Sequence, residues 1–598
     1  MVMIKLSDWV ADQLVLAGFE TVFMVTGGGA MHLNQSFGSH PKLKAVFNHH
    51  EQACAMGADA YGRLKGSPAL VNVTSGPGGT NAITGVYGAF VDSIPMLVVS
   101  GQVKFETTVR STGLPLRQYG DQELDIEPLV TPVTKYAAMV EKAEDIRYHL
   151  EKALYLIHHG RPGPCWLDIP LDIQSSQIDP STLRCFDPAE LHSPWDATDV
   201  SAAVEMIFNE IEASERPVIF AGAGVRLSGA HDDFIRSIEA LGVPVVTGWN
   251  AHDVLATSHP LNCGRPGTIG DRAGNFTVQN ADLLIILGSR LNIRQVSYNW
   301  QAFAKRARKI WVEIDPLELE KPNVQPDVPI LADLADLLPE LARRAQSRDK
   351  SRAQSWLAWC KERCMRYPVV EERYETSTEV NPYVFMQRLF NRLPEAQICV
   401  AGNGSACVIG FQASDIKAGQ RFWTNSGCAS MGYDLPAAIG ASVGAGGKSV
   451  ICLAGDGSIM MNLQELQTIK EMDLPIKIFV LNNAGYISIS QTHKNFFNGR
   501  EIGASPNSGV SFPNFCRLAA GFDMKSFRLE AHDDIDETVQ AVLSYSGPVI
   551  CDVVLDPDQG FEPKLSSRVL PDGRMESPSL EDMAPFLSRE ELAKNIID

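Results

Sequence analysis

The chain has 598 residues, 45% apolar and 21% charged, and its 52 basic and 71 acidic side chains give a formal charge of −19. That length exceeds one hydrophobic core and predicts three or four domains at roughly 150 residues each. No Lys/Arg run suits a phosphate backbone and no apolar stretch approaches the ~18 residues of a membrane helix, so neither nucleic acid nor a membrane is an expected partner. The 12 cysteines form no CxxC pair, which argues against a disulfide framework or a zinc site.

The N-terminal stretch MVMIKLSDWVADQLVLAGF carries Asp8 and Asp12. It reads as an amphipathic helix and not as a targeting peptide, so a cytoplasmic location is expected. Residues 1–175 then alternate helical patterns with the short apolar runs TVFMV, KAVFN, PALVNVT, PMLVVSG and PCWLDIP, the rhythm of a helix-covered parallel sheet. Within it, NHHEQACAMGADAYGRLKG places Glu51 after a strand, at the head of a helix of small residues. Such a glutamate is either a charge favoured by the helix dipole or a carboxyl in an apolar pocket, suited to proton sharing. The glycines of SGPGGTN allow a ligand close to the backbone. A polar, proline-containing linker follows.

Residues 195–345 repeat the rhythm with RPVIFAGAG, VPVVTG, ADLLIILGSR and KIWVEID, and end in the charged helix LADLADLLPELARRAQ. A lone G-x-G after the first strand is weak evidence of a nucleotide site. A polar helical connector leads to residues 377–557, whose strands are AQICVAG, KSVICLAGDG, IKIFVLNN and GPVICDVVLD. Here a strand ends at Gly455, Asp456, Gly457 and Ser458, one helix follows, and the next strand ends at Asn482 and Asn483. Carboxyl ends of parallel strands are where open α/β sheets bind ligands. A carboxylate plus an amide oxygen suits a hard cation such as Mg²⁺ or Ca²⁺, and helix N–H groups beside Ser458 suit a phosphate. A diphosphate held through a divalent ion is the combined reading. The tail, residues 558–598, lacks strand signals and is expected to pack over the surface or a site mouth, or to be disordered. The predicted class is α/β, with three successive doubly wound parallel-sheet domains.

The G-D-G to N-N spacing resembles the signature of thiamine diphosphate enzymes. Residues 66–103 and the run SGCASMGYDLPAAIGA are similar to acetolactate (acetohydroxyacid) synthases. The resemblance runs to about residue 557 in the family's domain order: pyrimidine-binding, central, diphosphate-binding. It implies thiamine diphosphate activated by Glu51, Mg²⁺ held by Asp456, Asn483 and the Gly485 carbonyl, Met431 beneath the bent cofactor, and Ser405 beside the diphosphate. His50 and Gln122 would stand near the reacting groups. Residues 263–295 resemble the FAD-binding part of these synthases, which makes Arg272, Arg290 and Arg294 candidates for flavin or pyrophosphate contacts and Asp315 for the ribose; a vestigial or ADP-binding domain is the alternative. The cofactor would lie between the first domain of one chain and the third of another, in a homodimer or homotetramer.

The implied reaction is decarboxylation of a 2-oxo acid such as pyruvate with two-carbon transfer to a carbonyl acceptor, the acetolactate chemistry of branched-chain amino acid biosynthesis. A decarboxylase or lyase of the same family, or transfer to a keto sugar in polysaccharide biosynthesis, are the alternatives. A non-catalytic subunit has no need of Glu51, Asp456 and Asn483 together. Three departures fall on the acceptor side: Asp121 where the synthases have Phe, Thr492 where they have Trp, and Ser405 with Ala406 where they have Gln-His.

Overall fold

A computed structural model describes residues 3–191, 195–569, 572 and 574–597. A short strand β1 (Ile4–Lys5) precedes the first sheet, made of β2 (Thr21–Met24), β3 (Lys44–Phe47), β4 (Ala69–Val73), β5 (Met96–Gln102), β6 (Tyr136–Met139) and β7 (Pro164–Pro170). A strand β8 (Gln177–Ile178) then pairs antiparallel with β1, so the first unit closes a few residues beyond position 175. The central sheet holds β9 (Pro217–Ala221), β10 (Val245–Thr247), β11 (Leu283–Leu287), β12 (Arg308–Glu313) and β13 (Val328–Leu331). The third holds β14 (Ile398–Ala401), β15 (Arg421–Trp423), β16 (Val450–Gly455), β17 (Ile476–Asn482), β18 (Lys525–Leu529) and β19 (Val549–Val554).

The strand orders are β3-β2-β4-β5-β7-β6, β10-β9-β11-β12-β13 and β15-β14-β16-β17-β19-β18. Pairing within these three sheets is parallel. Central strands such as β4 and β11 are buried along their whole length, because helices cover both faces, and this is why they read as continuous apolar runs. The first and third sheets share one topology.

Those two domains meet through equivalent helices. The helix Glu51–Lys65 starts at His50, whose ring nitrogen accepts the Gln52 N–H, and stops at left-handed Gly66. It crosses the helix Asp434–Gly444 so closely that a Cβ at Gly440 would lie 1.9 Å from the Gly57 carbonyl oxygen. Beside the crossing, Arg63 pairs with Asp59 at 2.8 Å and Asp92 at 2.7 Å, and the Tyr433 hydroxyl also donates to Asp59. The central and third domains are joined by Arg265, whose guanidinium donates to the carbonyls of Phe411 and Ser414, and by Arg421, 2.9 Å from Asp253.

The tail is packed. Leu565 N–H donates to Thr268 O, Asn595 O accepts from Asn280, and Tyr367 donates to Glu591. Among the described residues no helix is long and apolar enough to cross a membrane.

Candidate active site

Asp456 begins a short helix, Asp456–Ile459, directly at the end of β16. Its Oδ1 accepts the Gly457 N–H at 2.7 Å and its Oδ2 the Gly485 N–H at 3.0 Å. Burial pushes the carboxyl up to about 7 against the pull of the surrounding backbone N–H groups. No lysine or arginine among the described residues pairs with it, so a cation at this point would favour the ionised form. Asn483 donates to the Gly485 carbonyl at 2.7 Å, so the structure gathers the carboxylate, the amide and the backbone oxygen into one cluster. This donor set fits a hard divalent ion.

The two asparagines divide the work. Asn482 bonds Asp552 at 2.9 Å and the Ala484 N–H at 3.1 Å, which leaves Asn483 as the one facing the cluster. Between them and Gly485, Ala484 takes φ 55°, a backbone state that a non-glycine residue holds only under local constraint. The Tyr486 ring covers Gly457, where a Cβ would lie 2.1 Å from it.

The expected single helix after Ser458 is broken. One turn ends at Ile459 and a second helix runs Glu465–Glu471. In the break, Asn462 donates to the Gly432 carbonyl and to Gln52 of the first domain, both at 2.8 Å. Ser458 accepts the Gly432 N–H at 2.9 Å and donates to buried Asp434, whose carboxyl burial pushes up to about 6. Met431, half-buried, is therefore presented by a loop tied down at the next residue. Ser405 opens the helix Ser405–Ala413 after Gly404, whose φ is 63°, and the first amides of a helix suit a phosphate.

Glu51 is half-buried and accepts from Asn81 at 3.0 Å. Its neighbours on the same turn reach the third domain, the His49 N–H donating to Glu465 at 2.9 Å and Gln52 accepting from Asn462 at 2.8 Å. His50 caps the Glu51 helix. Gln122 is exposed and takes φ 59°, with its carbonyl 2.4 Å from where a Cβ of Gly76 would stand. That closeness requires glycine at the head of the SGPGGTN helix.

Three cavities adjoin. One of about 240 Å³ lies at the carboxyl edge of the central sheet, walled by Gly222, Gly288, Arg290 and Glu313 and by Arg63 and Asp92 of the first domain. A second, of about 480 Å³, is walled by Trp249, Arg294, Asn403, Gly404, Thr492 and Lys564. A third, of about 750 Å³, reaches Asn483 and Gly485. Trp249 and Ser426 border the first two, and Gln491 and Lys564 the last two. Trp249 Nε1 and Gln295 Oε1 are buried without partners on the wall of the first cavity, as a polar heterocycle would require.

The candidate nucleotide residues separate. Arg290 lines the first cavity and Arg294 the second. Arg272 is turned to the tail, donating to the carbonyls of Met583 and Pro585. Asp315 caps the helix Pro316–Glu320 and pairs with Arg161 at 3.1 Å. In place of Asp315, the β12 carboxylate that lines the cavity, beside Asp92 and Asp333, is Glu313, the last residue of the strand, and burial pushes it up to about 7. The sequence holds a hint of this, since Glu313 and Asp315 share a strand's alternation; Tyr486, Trp249 and Lys564 carry no such signal.

Three domain families match in order: thiamine pyrophosphate enzyme, N-terminal TPP binding domain, over residues 4–129; central domain, over 204–341; and C-terminal TPP binding domain, over 402–553. Acetolactate synthase 2, chloroplastic, of Nicotiana tabacum is 30% identical over 574 residues, 94% of this chain and 84% of that protein. Acetolactate synthase 1, chloroplastic, of Zea mays is 30% identical over 571 residues, 94% and 87% of the two chains. The acetolactate synthase large subunit of Porphyra purpurea is 29% identical over 567 residues, 93% and 92%.

Proposed function

The chain belongs to the thiamine pyrophosphate enzyme family, with thiamine diphosphate as its cofactor, and from that premise we propose that it is a carboligase of the acetolactate synthase type. It decarboxylates a 2-oxo acid such as pyruvate and joins the two-carbon unit to the carbonyl carbon of an acceptor. The observation that carries ligation over simple decarboxylation is the cavity of about 480 Å³ beside Gly404 and Thr492, room for a second substrate next to the diphosphate end.

When bound, thiamine diphosphate supplies the carbon nucleophile and the electron sink for loss of CO₂. Glu51 holds the proton shared with the cofactor's pyrimidine nitrogen, and Asn81 fixes the orientation of its carboxyl group. Asp456, Asn483 and the Gly485 carbonyl hold Mg²⁺, while Ser405 and the amides of its helix receive the diphosphate. Met431, secured through Gly432 to Ser458 and Asn462, supports the cofactor from below. His50 and Gln122 form the first-domain wall of the reacting groups. Arg290 and Glu313 receive FAD in the first cavity. Two chains complete each site, because Glu51 and Asp456 come from different copies.

Thr492 in place of a bulky indole admits acceptors larger than a second pyruvate. The test is turnover of pyruvate with aldehyde, 2-oxo acid and keto-sugar acceptors, read by product mass. A product two carbons longer than the acceptor is expected, and acetaldehyde alone from every mixture removes the ligase reading.

A further inference from the structure

Two cations line the second cavity without an acidic partner among the described residues. Arg294 comes from the central domain, its guanidinium 6.0 Å from the Trp249 ring. Lys564 comes from the tail, and its ammonium donates to Gln491 Oε1 at 2.9 Å. Gln491 precedes Thr492 on the helix Ile487–Phe496, so the ammonium is anchored next to the position that opens the cavity. The Lys564 backbone is fixed too: its N–H donates to Ala584 O at 2.9 Å and its carbonyl accepts from Ala584 N–H at 2.7 Å. Glu562, the nearby carboxylate, is engaged by Arg373 at 2.7 Å and Tyr374 at 3.1 Å. Half-burial pushes the Lys564 amine down and outweighs the opposing pull of Glu562, the cost of a cation held in place without a direct ion pair.

We propose that Lys564 is an acceptor-binding residue that reads an anionic group, carboxylate or phosphate, on the acceptor. The proposal rests on the carboligase reading and adds the class of acceptor to it. A competing source of the same chemistry is the cofactor's diphosphate, since Lys564 also borders the cavity that reaches Asn483 and Gly485. Its anchor on the Thr492 helix assigns Lys564 to the acceptor.

The experiment is calorimetric titration of the enzyme loaded with thiamine diphosphate and Mg²⁺, using pairs of a neutral and an anionic ketone: dihydroxyacetone with dihydroxyacetone phosphate, and butanone with the near-isosteric acetoacetate. The anionic member of at least one pair is expected to bind about tenfold tighter or more, the scale of one charge-assisted hydrogen bond. Lys564→Met is expected to cut that preference roughly 10- to 100-fold, while Lys564→Arg keeps most of it. No anion preference in either pair overturns the proposal, as does Lys564→Met losing thiamine diphosphate affinity by the same factor as the anion. Pyruvate that releases no CO₂ while the anion preference stands removes the donor assignment and leaves Lys564's role intact.

Discussion

The meeting of Asp456 and Asn483 is legible in the sequence because each stands at the carboxyl end of a parallel strand, and strand ends are marked by where apolar runs stop. Arg272 and Asp315 are not legible in the same way, since a sequence shows a charge and not its partner. Their partners, the Met583 and Pro585 carbonyls and Arg161, lie some 150 to 310 positions away. Three predictions belong at this scale. Glu51→Gln should lower pyruvate-dependent CO₂ release by about 10²- to 10⁴-fold, the worth of a positioned acid–base group, with cofactor titration little changed. Mg²⁺ affinity should climb as pH rises through about 7 and then level off, because burial holds Asp456 near that value and the ion must displace its proton; equal Mg²⁺ affinities at acid and alkaline pH would remove Asp456 from the ligand set. Thr492→Trp should raise KM for acceptors of keto-sugar size by about tenfold or more, a pocket-filling effect measurable by steady-state kinetics.

Among the strands of the three large sheets, those that the sequence rhythm passes over are β6, β13, β15 and β18, and each sits at a sheet edge. Edge strands have one hydrogen-bonding side and part of a face uncovered, so selection for apolar residues is relaxed. KSFRL buries only Leu529 fully, and VPIL carries Pro329, which an edge tolerates. The buried strands are legible because most of their side chains are apolar, with only single polar residues such as Asn72 among them. The broken helix after Asp456 is hidden for the opposite reason: residues 458–471 have a good helical pattern, and the break is imposed by Asn462 reaching Gly432 and Gln52. At the helix crossing, Gly440→Ala should destabilise the chain by about 1–3 kcal/mol or more, since its methyl meets backbone and not a movable side chain; thermal denaturation reads this as a lower Tm.

The whole chain holds three units together through buried polar contacts that join domains: Arg265, Arg421 with Asp253, and the tail laid over the central domain. Burial pushes Asp253 up, but Arg226 and Arg421 outweigh it and keep it below the usual carboxylate range. The proposal that each site takes Glu51 from one copy and Asp456 from another has a direct test. Glu51→Gln and Asp456→Ala proteins, each inactive, should recover about a quarter of wild-type activity after unfolding and refolding as a mixture, because half the pairs are mixed and half their sites are intact. No recovery would place both residues in one chain's site. The meeting of Gly57 with Gly440 also bears on inheritance. Every substitution at 440 adds at least a methyl group where a carbonyl oxygen stands, and no change at 57 can answer it, because that oxygen belongs to the backbone of any residue. Gly38, with open space around it, can vary among descendants of this chain, whereas position 440 is closed to drift for as long as the two domains stay joined.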